Sequence, residues 1–513
     1  MPRSCNVKLK GRKQYHRYGE EADRNRRVAG ILLLVLTALA AAVYLGWMAT
    51  VLNWEVWYLA VPFAAAEVAT LFTVVLFGFL IWYPRRHDEE GLEVRTPVPV
   101  DVFISTAGEP IEVLERTVTA AARIRYEPKV VYVLDDAGSP EVEALARRNG
   151  CEYLSRTERR DAKAGNLNFG LSRSSGPMIL ALDADQVPEP EILERLQGYM
   201  RFPSIAFVQS AQRFLVPRGD PFSNRDELFY RVMQAGKDGH NAAFSCGSGV
   251  LYRRAALESV GGFSTWNLVE DVHTSLRLHA AGWRSVYHNH PLTTGTAPTD
   301  ILGVYRQREQ WATDSLRLLF WDSPLTRKGL SLPQRLHYFY TGFGYLVSAF
   351  VLPFFYVLPA WSSFTGKFIL RASALEYARY RGAYLVLSVL AITVLEHPVS
   401  ARKPFRIWAG LFPVFIRATV RALRSRREKP VYRVTDKSGA RPGASARLVR
   451  VLPQALIAAA TAAALLYAAW RDTLPPGLLA INVLWGLWVI WTMLGICGAA
   501  MQTRRSAEHA VLP

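Results

Sequence analysis

The chain has few cysteines. Its four are Cys5, Cys151, Cys246 and Cys497, and no two of them stand at a paired spacing. Disulfide frameworks and structural zinc sites both show closely and regularly spaced cysteines. The sequence therefore indicates neither kind of site.

Charge is missing from long stretches of the 513 residues. Residues Val28–Leu52 contain no charged side chain, and about 20 apolar residues suffice to cross a bilayer as a helix. The residues before Val28 are too numerous and too charged for a signal peptide, so we interpret this segment as a retained membrane span. Further apolar segments predict five more spans, at Val56–Tyr83, Leu336–Trp361, Ala383–Leu395, Val451–Trp470 and Leu478–Met501.

Acidic residues are scarce relative to basic ones, since 43 Asp and Glu against 61 Lys and Arg give a net charge of +18. Such an excess can indicate nucleic-acid binding, but many basic residues lie beside the predicted spans, where anionic lipid headgroups explain them more simply. These stretches are Lys8–Arg27, Arg85–Arg86, Arg402–Arg427 and Arg504–Arg505. The positive-inside rule places them in the cytoplasm. We expect membrane lipids as partners and no nucleic acid, in a multi-pass protein of the cell (plasma or inner) membrane.

Three features of the membrane portion leave alternatives open. The basic loop Lys367–Arg381 would fall outside, which weakens the prediction of a span at Ala383–Leu395. Glu67 lies inside the second predicted span, where a carboxylate must face the bundle interior or a polar path. Helix packing and the lining of a channel explain it equally well. Residues Phe405–Leu423 mix apolar and basic residues at helical spacing, which predicts an interfacial helix.

Between Pro97 and about Phe320, short β-rich runs alternate with polar helical stretches, a pattern typical of an α/β fold with a largely parallel sheet. Predicted strands begin at Val100, Val130, Met178 and Ile205, and helices are predicted at Ile111–Ile124 and Glu141–Arg148. Ligands of such sheets bind at the carboxyl ends of the strands. Two acidic pairs fall there, Asp135 with Asp136 and Asp183 with Asp185.

The segment LALDADQVP places the carboxylates of Asp183 and Asp185 two residues apart after a buried strand. Hard oxygen ligands at that spacing suit a divalent cation that bridges a diphosphate. One Asp at a strand end often only caps a turn, so each pair alone fits a structural role as well.

The segment LVEDVHTSLRLHAAGW places Glu270 and Asp271 at the start of an amphipathic helix. Carboxylates favour that position through the helix dipole, so capping is one interpretation. A buried carboxylate beside a sugar hydroxyl is the other, because it would serve as a general base for glycosyl transfer.

Taken in order, these segments resemble the processive members of glycosyltransferase family two, and most closely bacterial cellulose synthase catalytic subunits. STAGEP is similar to the family's nucleotide-binding opening, LDDAG to its uridine-binding segment, and DAKAGNLN to its KAGNLN segment. ALDADQVP resembles the metal-binding DxD, VEDVHTSLRLHAAGW the TED box, and QREQW the QxxRW motif. FVQSAQRF and CGSGVLYRRAALESVGGF also fit the order, and YRVTDK is similar to the FxVTxK gating loop.

The resemblance implies a role for individual residues. Donor binding is implied for Thr106, Glu109, Asp136, Lys163, Asp183, Gln307, Arg308 and Gln310. Asp185 with Asp183 would bind Mg²⁺ or Mn²⁺, and Asp271 with Glu270 would form the catalytic pair, Asp271 as the base. Trp311 and Cys246 would meet the acceptor sugar. Tyr432, Val434, Thr435 and Lys437 would belong to the gating loop.

The sequence departs from the family pattern at two donor-site positions. Gln310 replaces the arginine of QxxRW, which removes a cationic partner of the diphosphate that Arg308 or Lys437 would have to replace. Gln186 stands where a histidine commonly follows the DxD. Both changes leave the identity of the donor open.

We therefore expect an α/β GT-A-type cytoplasmic domain, with a mostly parallel sheet, inserted in a helical transmembrane bundle. The expected order is a basic cytoplasmic N-terminus (1–27), a transmembrane hairpin (28–83), the glycosyltransferase domain (97–322), a transmembrane pair (323–402), an interfacial helix with the gating loop (403–450), a second pair (451–502) and a cytoplasmic tail (503–513).

The expected function is an inverting, processive polymerisation of a β-linked polysaccharide, by default a β-1,4-glucan from UDP-glucose, with translocation of the product. Its partners would be a UDP-sugar, the growing polysaccharide and possible accessory export subunits. A relative that uses UDP-N-acetylglucosamine or glycosylates a lipid is the alternative, and an inactive membrane scaffold is an alternative of another class. YRVTDK favours the processive enzyme, whereas Gln310 favours the scaffold.

Overall fold

The computed structural model describes residues 8–81, 96–216, 220–267, 270–396, 402–427, 429 and 443–502. The segment YRVTDK, with Tyr432, Val434, Thr435 and Lys437, lies outside the described residues.

Within the described residues, eight strands form one mixed sheet in the order β3-β2-β1-β4-β7-β6-β8-β5. Strands β3, β2, β1 and β4 run parallel, β7 is antiparallel to both β4 and β6, and β6 and β8 are parallel. The strands are β1 (Val100–Thr106), β2 (Lys129–Asp135), β3 (Glu152–Ser155), β4 (Met178–Asp183), β5 (Gln186–Pro188), β6 (Ile205–Leu215), β7 (Val250–Arg253) and β8 (Arg284–Thr296). The predicted, largely parallel α/β sheet is confirmed.

Helices cover both faces of this sheet, because its central strands are apolar on both sides and must be buried on both. Strand β1 is buried along its whole length. The helices of this part are α3 (Ile111–Ala122), α4 (Pro140–Arg148), α5 (Ala162–Arg173), α6 (Ile192–Leu196), α7 (Gln234–Gly239), α8 (Arg254–Ser259), α9 (Asp271–Ala280) and α10 (Ile301–Trp321). The predicted helices at Ile111–Ile124 and Glu141–Arg148 correspond to α3 and α4.

Long apolar helices precede and follow the sheet. They are α1 (Lys8–Val51), α2 (Trp57–Ile81), α11 (Leu332–Leu346), α12 (Leu352–Thr365), α13 (Ala374–Glu396), α16 (Ala444–Arg471) and α17 (Pro476–Met501). A short π-helix, Val347–Val351, joins α11 to α12. Among the described residues, five stretches are long and apolar enough to cross a membrane: Asn25–Val51, Trp54–Ile81, Leu332–Thr365, Ala444–Arg471 and Pro476–Met501.

The predicted span at Ala383–Leu395 is not among those five stretches. It lies in the longer helix α13, whose first half carries Arg379 and Arg381. Helix α13 packs extensively along α1. The Arg381 guanidinium forms an ion pair with Glu67 of α2, and both side chains are almost fully buried. This contact supports helix packing, the first of the two interpretations of Glu67, and the lining of a channel stays a prediction.

The stretch Phe405–Leu423 forms two helices and not one. Helix α14 covers Arg402–Gly410 and α15 covers Phe412–Arg424. Pro413 stands at the start of α15, where its missing N–H is tolerated, whereas inside a continuous helix it would remove a hydrogen bond. Helix α15 packs against α10, and this contact joins the predicted interfacial segment to the part of the chain that contains the sheet.

Candidate active site

The parallel strands β1, β2 and β4 end together at one edge of the sheet. Thr106 of β1 is in register with Asp135 of β2, and Ser105 is in register with Asp183 of β4. The two predicted acidic pairs therefore meet at the same sheet edge, as the strand pattern predicts.

The two aspartates at the end of β2, Asp135 and Asp136, have different roles. The carboxylate of Asp135 accepts hydrogen bonds from the backbone N–H groups of Ala137 and Ser139, both at 2.7 Å, so it caps the turn. Asp136 is buried and forms two hydrogen bonds with the guanidinium of Arg156, at 2.6 and 2.8 Å. The structural role considered for this pair thus holds for Asp135, whereas Asp136 remains the residue predicted to meet the donor.

Thr106 and Glu109 lie beside this edge and are bonded to each other. The Thr106 hydroxyl donates to the Glu109 carboxylate at 2.7 Å, and the N–H of Ala107 donates to the same oxygen at 2.8 Å. The turn STAGEP is thereby closed by its own side chains. Its two predicted donor-binding residues form one unit.

Lys163 joins the DxD to the TED box. Its ammonium lies 2.7 Å from the Asp183 carboxylate and 2.9 Å from that of Glu270. It also donates to the carbonyl oxygen of Gly247 at 2.8 Å. Burial alone would lower the pKa of Lys163, but the carboxylates of Asp183 and Glu270 raise it well above its usual value. Lys163 therefore carries its charge at physiological pH.

Gly247 is the residue around which this cluster closes. Its φ is +79°, and an added Cβ would lie 3.0 Å from the Lys163 ammonium and 3.4 Å from the Asp271 carboxylate. A side chain here would be strained and would crowd both groups. Glycine thus leaves the space between Lys163 and Asp271 open.

Glu270 and Asp271 stand at the start of α9. Glu270 is the N-cap residue but its side chain forms no capping hydrogen bond, whereas Oδ1 of Asp271 accepts a hydrogen bond from the N–H of Val272 at 2.6 Å. Burial, with the neighbouring Glu270 carboxylate, raises the pKa of Asp271 to about 8. An acid with a pKa near the working pH is well matched to a general base. Within the described residues, Oε2 of Glu270 is buried without a hydrogen-bond partner, so this oxygen can accept a hydrogen bond from a ligand.

The carboxylates of the DxD fit a divalent cation. Asp183 keeps 34% of its side-chain surface exposed, and Asp185 accepts a hydrogen bond from the Thr296 hydroxyl at 3.1 Å. Burial raises the pKa of Asp183; Lys163 opposes that effect and the charge of Asp185 adds to it. Two hard oxygen donors that repel each other are the kind of pair that Mg²⁺ or Mn²⁺ stabilises. Among the described residues, no group of three His, Cys, Asp or Glu side chains is arranged as a complete metal site.

Helix α10 carries the segment QREQW. Gln307 and Trp311 are half-buried, and Gln310 is 5% exposed. Arg308 was predicted to replace the missing diphosphate cation, but both oxygens of Asp226 bind it at 2.9 Å. Its guanidinium also lies 4.8 Å from the centre of the Trp311 ring. Asp226 thus matches the charge of Arg308 within the chain and holds it against Trp311, and a contact of Arg308 or Lys437 with the diphosphate stays a prediction.

Cys246 precedes Gly247 in the same loop. Its N–H donates to the side-chain oxygen of Gln209 at 2.7 Å, and its sulfur accepts from the amide of Gln234 at 3.2 Å. Burial raises the pKa of the Cys246 thiol, so the group stays protonated. The predicted acceptor contact at Cys246 would therefore be one of packing and weak hydrogen bonding.

Several residues of the site carry no motif signal that sequence reasoning could use. Arg156 follows a short strand, Asp226 lies in a turn at a positive φ of 49°, and Thr296 ends β8 far from the DxD it contacts. These residues are far from the motifs in the sequence, and only the fold brings them close to the site.

Comparison with known proteins identifies the family. Residues 97–313 match the family described as glycosyltransferase like family 2, and residues 259–403 match the cellulose synthase family. The "Cellulose synthase 1 catalytic subunit [UDP-forming]" of Komagataeibacter xylinus is 30% identical over 94% of this chain and 68% of the relative. The chain belongs to the cellulose synthase family. The resemblance predicted from the motifs is thereby confirmed.

Other members of the cellulose synthase family are similar over different lengths. A cellulose synthase catalytic subunit (UDP-forming) of Xanthomonas axonopodis pv. citri is 33% identical over 62% of this chain and 46% of the relative. A putative cellulose synthase 2 of K. xylinus is 29% identical over 95% of this chain and 34% of the relative. The chain thus spans 68%, 46% and 34% of the lengths of these three relatives.

A solved structure supports the fold. A mannosyltransferase from Pyrobaculum calidifontis, in complex with GDP-Man and Mn²⁺, superposes with a TM-score of 0.50 at 20% identity, covering 71% of this chain and 98% of its own. The GT-A-type fold predicted for the catalytic domain is confirmed.

Proposed function

We propose that this chain is a membrane-embedded, inverting and processive hexosyltransferase that polymerises a β-linked polysaccharide from a UDP-sugar. UDP-glucose is the proposed donor and a β-1,4-glucan the proposed product. The observation that carries the proposal is the cluster of Lys163, Asp183, Glu270 and Asp271 at the carboxyl edge of the sheet. Membership of the cellulose synthase family supports the processive reaction.

The uridine end of the donor would lie against the end of β2. Asp136, held by Arg156, and the Thr106–Glu109 pair would face it with fixed oxygen acceptors. These groups are hydrogen-bonded before a ligand arrives, so little side-chain entropy is lost on binding. The diphosphate would then extend along the sheet edge toward Lys163.

The diphosphate would meet the ammonium of Lys163 between Asp183 and Glu270. A Mg²⁺ or Mn²⁺ ion held by Asp183 and Asp185 would neutralise negative charge on the leaving UDP. Lys163, a point charge, binds phosphate oxygens without requiring one orientation. Because two carboxylates already surround it, the ammonium is held in place for that contact.

Asp271 would take the proton from the acceptor hydroxyl. The oxygen then attacks the anomeric carbon, the bond from that carbon to the phosphate oxygen breaks, and UDP departs with the electron pair. One displacement converts an α-linked donor to a β-linked product. Trp311, with Arg308 against its ring, would hold the acceptor sugar by stacking on its apolar face.

We also propose that the catalytic domain faces the cytoplasm and that the helical bundle conducts the polymer outward. The basic stretches beside the spans support that orientation. Accessory export subunits would act on the side of the membrane opposite the cytoplasm. Protease digestion of sealed inside-out and right-side-out vesicles tests the orientation: the catalytic domain should be cut only in the inside-out preparation.

The reaction is tested with purified full-length protein in nanodiscs, incubated with one radiolabelled UDP-sugar at a time in the presence of Mg²⁺. We expect a high-molecular-weight product from UDP-glucose that endo-β-1,4-glucanase degrades, and none from Asp271→Asn. A product from UDP-N-acetylglucosamine, degraded by chitinase, would reassign the donor. A labelled lipid as the product would show single transfer to a lipid instead of processive synthesis. Absence of turnover with every donor would favour an inactive scaffold.

A further inference from the structure

A buried arginine at the end of β3 connects two halves of the donor site. Arg156 has 9% of its side-chain surface exposed and follows the last residue of β3, Ser155. Its Nε donates to one oxygen of Asp136 at 2.6 Å, and its Nη2 donates to the other at 2.8 Å. This two-point contact fixes the plane of the carboxylate, which a single contact does not.

The same guanidinium also binds the backbone of the following turn. Nη1 donates to the carbonyl oxygen of Arg160 at 2.7 Å, and Nη2 donates to that of Ala162 at 2.8 Å. The planar fork thus holds a carboxylate on one side and two carbonyl groups on the other. Lysine has no such rigid set of donors.

The turn that it holds is strained. Asp161 has a φ of +64° and Ala162 a φ of +46°, both in the left-handed region that non-glycine residues rarely occupy. Aspartate tolerates this region better than most residues, so the strain lies mainly at Ala162. The chain is also tightly packed, since a Cβ on Gly165 would lie 2.1 Å from the Arg160 carbonyl oxygen. Strain of this kind persists only where surrounding contacts determine the backbone, and it concentrates at functional sites.

Lys163 follows the strained turn directly. The backbone conformation of the turn therefore determines whether the Lys163 side chain reaches Asp183 and Glu270. On the opposite side, Asp136 depends on Arg156 for its orientation. One guanidinium thus sets the spacing between the proposed uridine contact and the proposed phosphate contact.

We infer that Arg156 is a positioning residue for the nucleotide-sugar donor, acting through Asp136 and Lys163 without touching the donor itself. The inference rests on the proposed function of this cleft. It predicts that replacing the planar guanidinium by an ammonium, which keeps the positive charge, weakens binding of the UDP moiety more than it slows the chemical step.

The test compares Arg156→Lys with the wild-type full-length protein. A hydrogen bond to a charged group changes an equilibrium constant by roughly 10-fold to 100-fold, so we expect a rise of that size in both the Kd for UDP and the donor KM. The kcat at saturating donor should change less than the KM. A purely structural role would instead lower the active fraction and leave the KM unchanged.

Arg147→Lys is the matched control. Arg147 also forms two hydrogen bonds with a carboxylate, that of Glu143, but it is 75% exposed on α4, away from the cleft. The same substitution there should leave the Kd for UDP and the KM within about twofold, because exposed ion pairs contribute little.

A second variant tests the strained turn itself. Glycine accepts the left-handed conformation without a Cβ penalty, so adding Ala162→Gly to Arg156→Lys should recover a measurable part of the lost UDP affinity. If Arg156→Lys is recovered only as aggregate, the double variant Arg156→Gln with Ala162→Gly is compared with the single variant Ala162→Gly. The turn needs less support in both of these proteins. Unchanged UDP affinity in the folded variants would overturn the inference. A wild-type protein that binds no UDP would instead overturn the proposed function.

Discussion

Two charge clusters, one in the catalytic cleft and one among the membrane helices, differ in how their charges balance. In the membrane portion, the carboxylate of Glu67 is matched by one guanidinium, that of Arg381, and Tyr44 donates a hydrogen bond to it at 3.3 Å. In the cleft, the ammonium of Lys163 contacts two carboxylates, those of Asp183 and Glu270.

Further carboxylates extend the imbalance in the cleft. Burial raises the pKa of Asp183 and of Asp271, and the neighbouring carboxylates of Asp185 and Glu270 raise these two pKa values further. Aromatic rings surround the membrane pair instead: the Arg381 guanidinium lies 4.6 Å from the ring centre of Trp485 and 5.3 Å from that of Phe355. A pair whose charges balance needs no further partner, whereas an excess of one sign leaves a place for a ligand of the other sign.

The largest expected effect is a loss of sugar transfer in the cleft while the fold is preserved. Asp271→Asn should lower the rate of sugar transfer by about 100-fold to 10,000-fold, the range for loss of a general base. The Kd for UDP should stay within about twofold of wild type, because the carboxylate acts on the acceptor. Radiolabel incorporation and calorimetry measure the two quantities. Wild-type turnover in this variant would remove Asp271 from the mechanism.

The converse effect is expected in the membrane portion. Glu67→Ala leaves the Arg381 guanidinium buried and unpaired, which should destabilise the folded protein by about 3–5 kcal/mol. Thermal unfolding in nanodiscs measures the loss.

The double variant Glu67→Leu with Arg381→Met separates packing from function. It removes both charges, so its stability should return close to that of the wild type. It should also retain UDP affinity. A loss of sugar transfer in the stable double variant would show that the pair acts on the polysaccharide and not only on helix packing.

A smaller effect should appear as pH is varied. The base must be deprotonated to act, and the pKa of Asp271 is raised to about 8. The value of kcat/KM should therefore rise about tenfold per pH unit below that pKa and level off above it. A limb near the ordinary Asp value of about 4 would contradict the electrostatic account of the cleft.

The smallest effect concerns Gln310, which is 5% exposed on α10. If its side chain faces the diphosphate, Gln310→Arg should tighten UDP binding by about threefold to tenfold, because a charge-assisted hydrogen bond is stronger than a neutral one. Turnover should then slow through retention of product. Gln310→Ala should cost little. Unchanged UDP affinity in Gln310→Arg would show that this position does not face the diphosphate.

Strand ends and their acidic residues could be predicted from the sequence, because the apolar runs of β1, β2 and β4 give both the strands and the edge at which they end. The cluster of Asp183 and Asp271 was expected from motif order alone. Its physical centre, the contact of Lys163 with Glu270, was not predicted, since it joins α5 to the start of α9 across the cleft.

Pairings between distant segments account for most of what the sequence could not predict. The partner of Glu67 is on α13, and the partner of Arg308 is in a turn of positive φ. Neither choice follows from periodicity. The left-handed turn at Asp161 and Ala162 could not be predicted either, because Asp is only one of several residues that tolerate this backbone and Ala rarely adopts it.

The most direct test of this comparison is the affinity for UDP with Mg²⁺ and with excess chelator. We predict that calorimetry of the full-length protein shows tighter UDP binding with Mg²⁺, and that Asp185→Ala removes the difference. The double variant Glu67→Leu with Arg381→Met should keep the difference, because the membrane pair is balanced without a ligand. Equal UDP affinity with Mg²⁺ and with chelator in the wild-type protein would contradict the claim that the excess carboxylates of the cleft hold a cation with the donor.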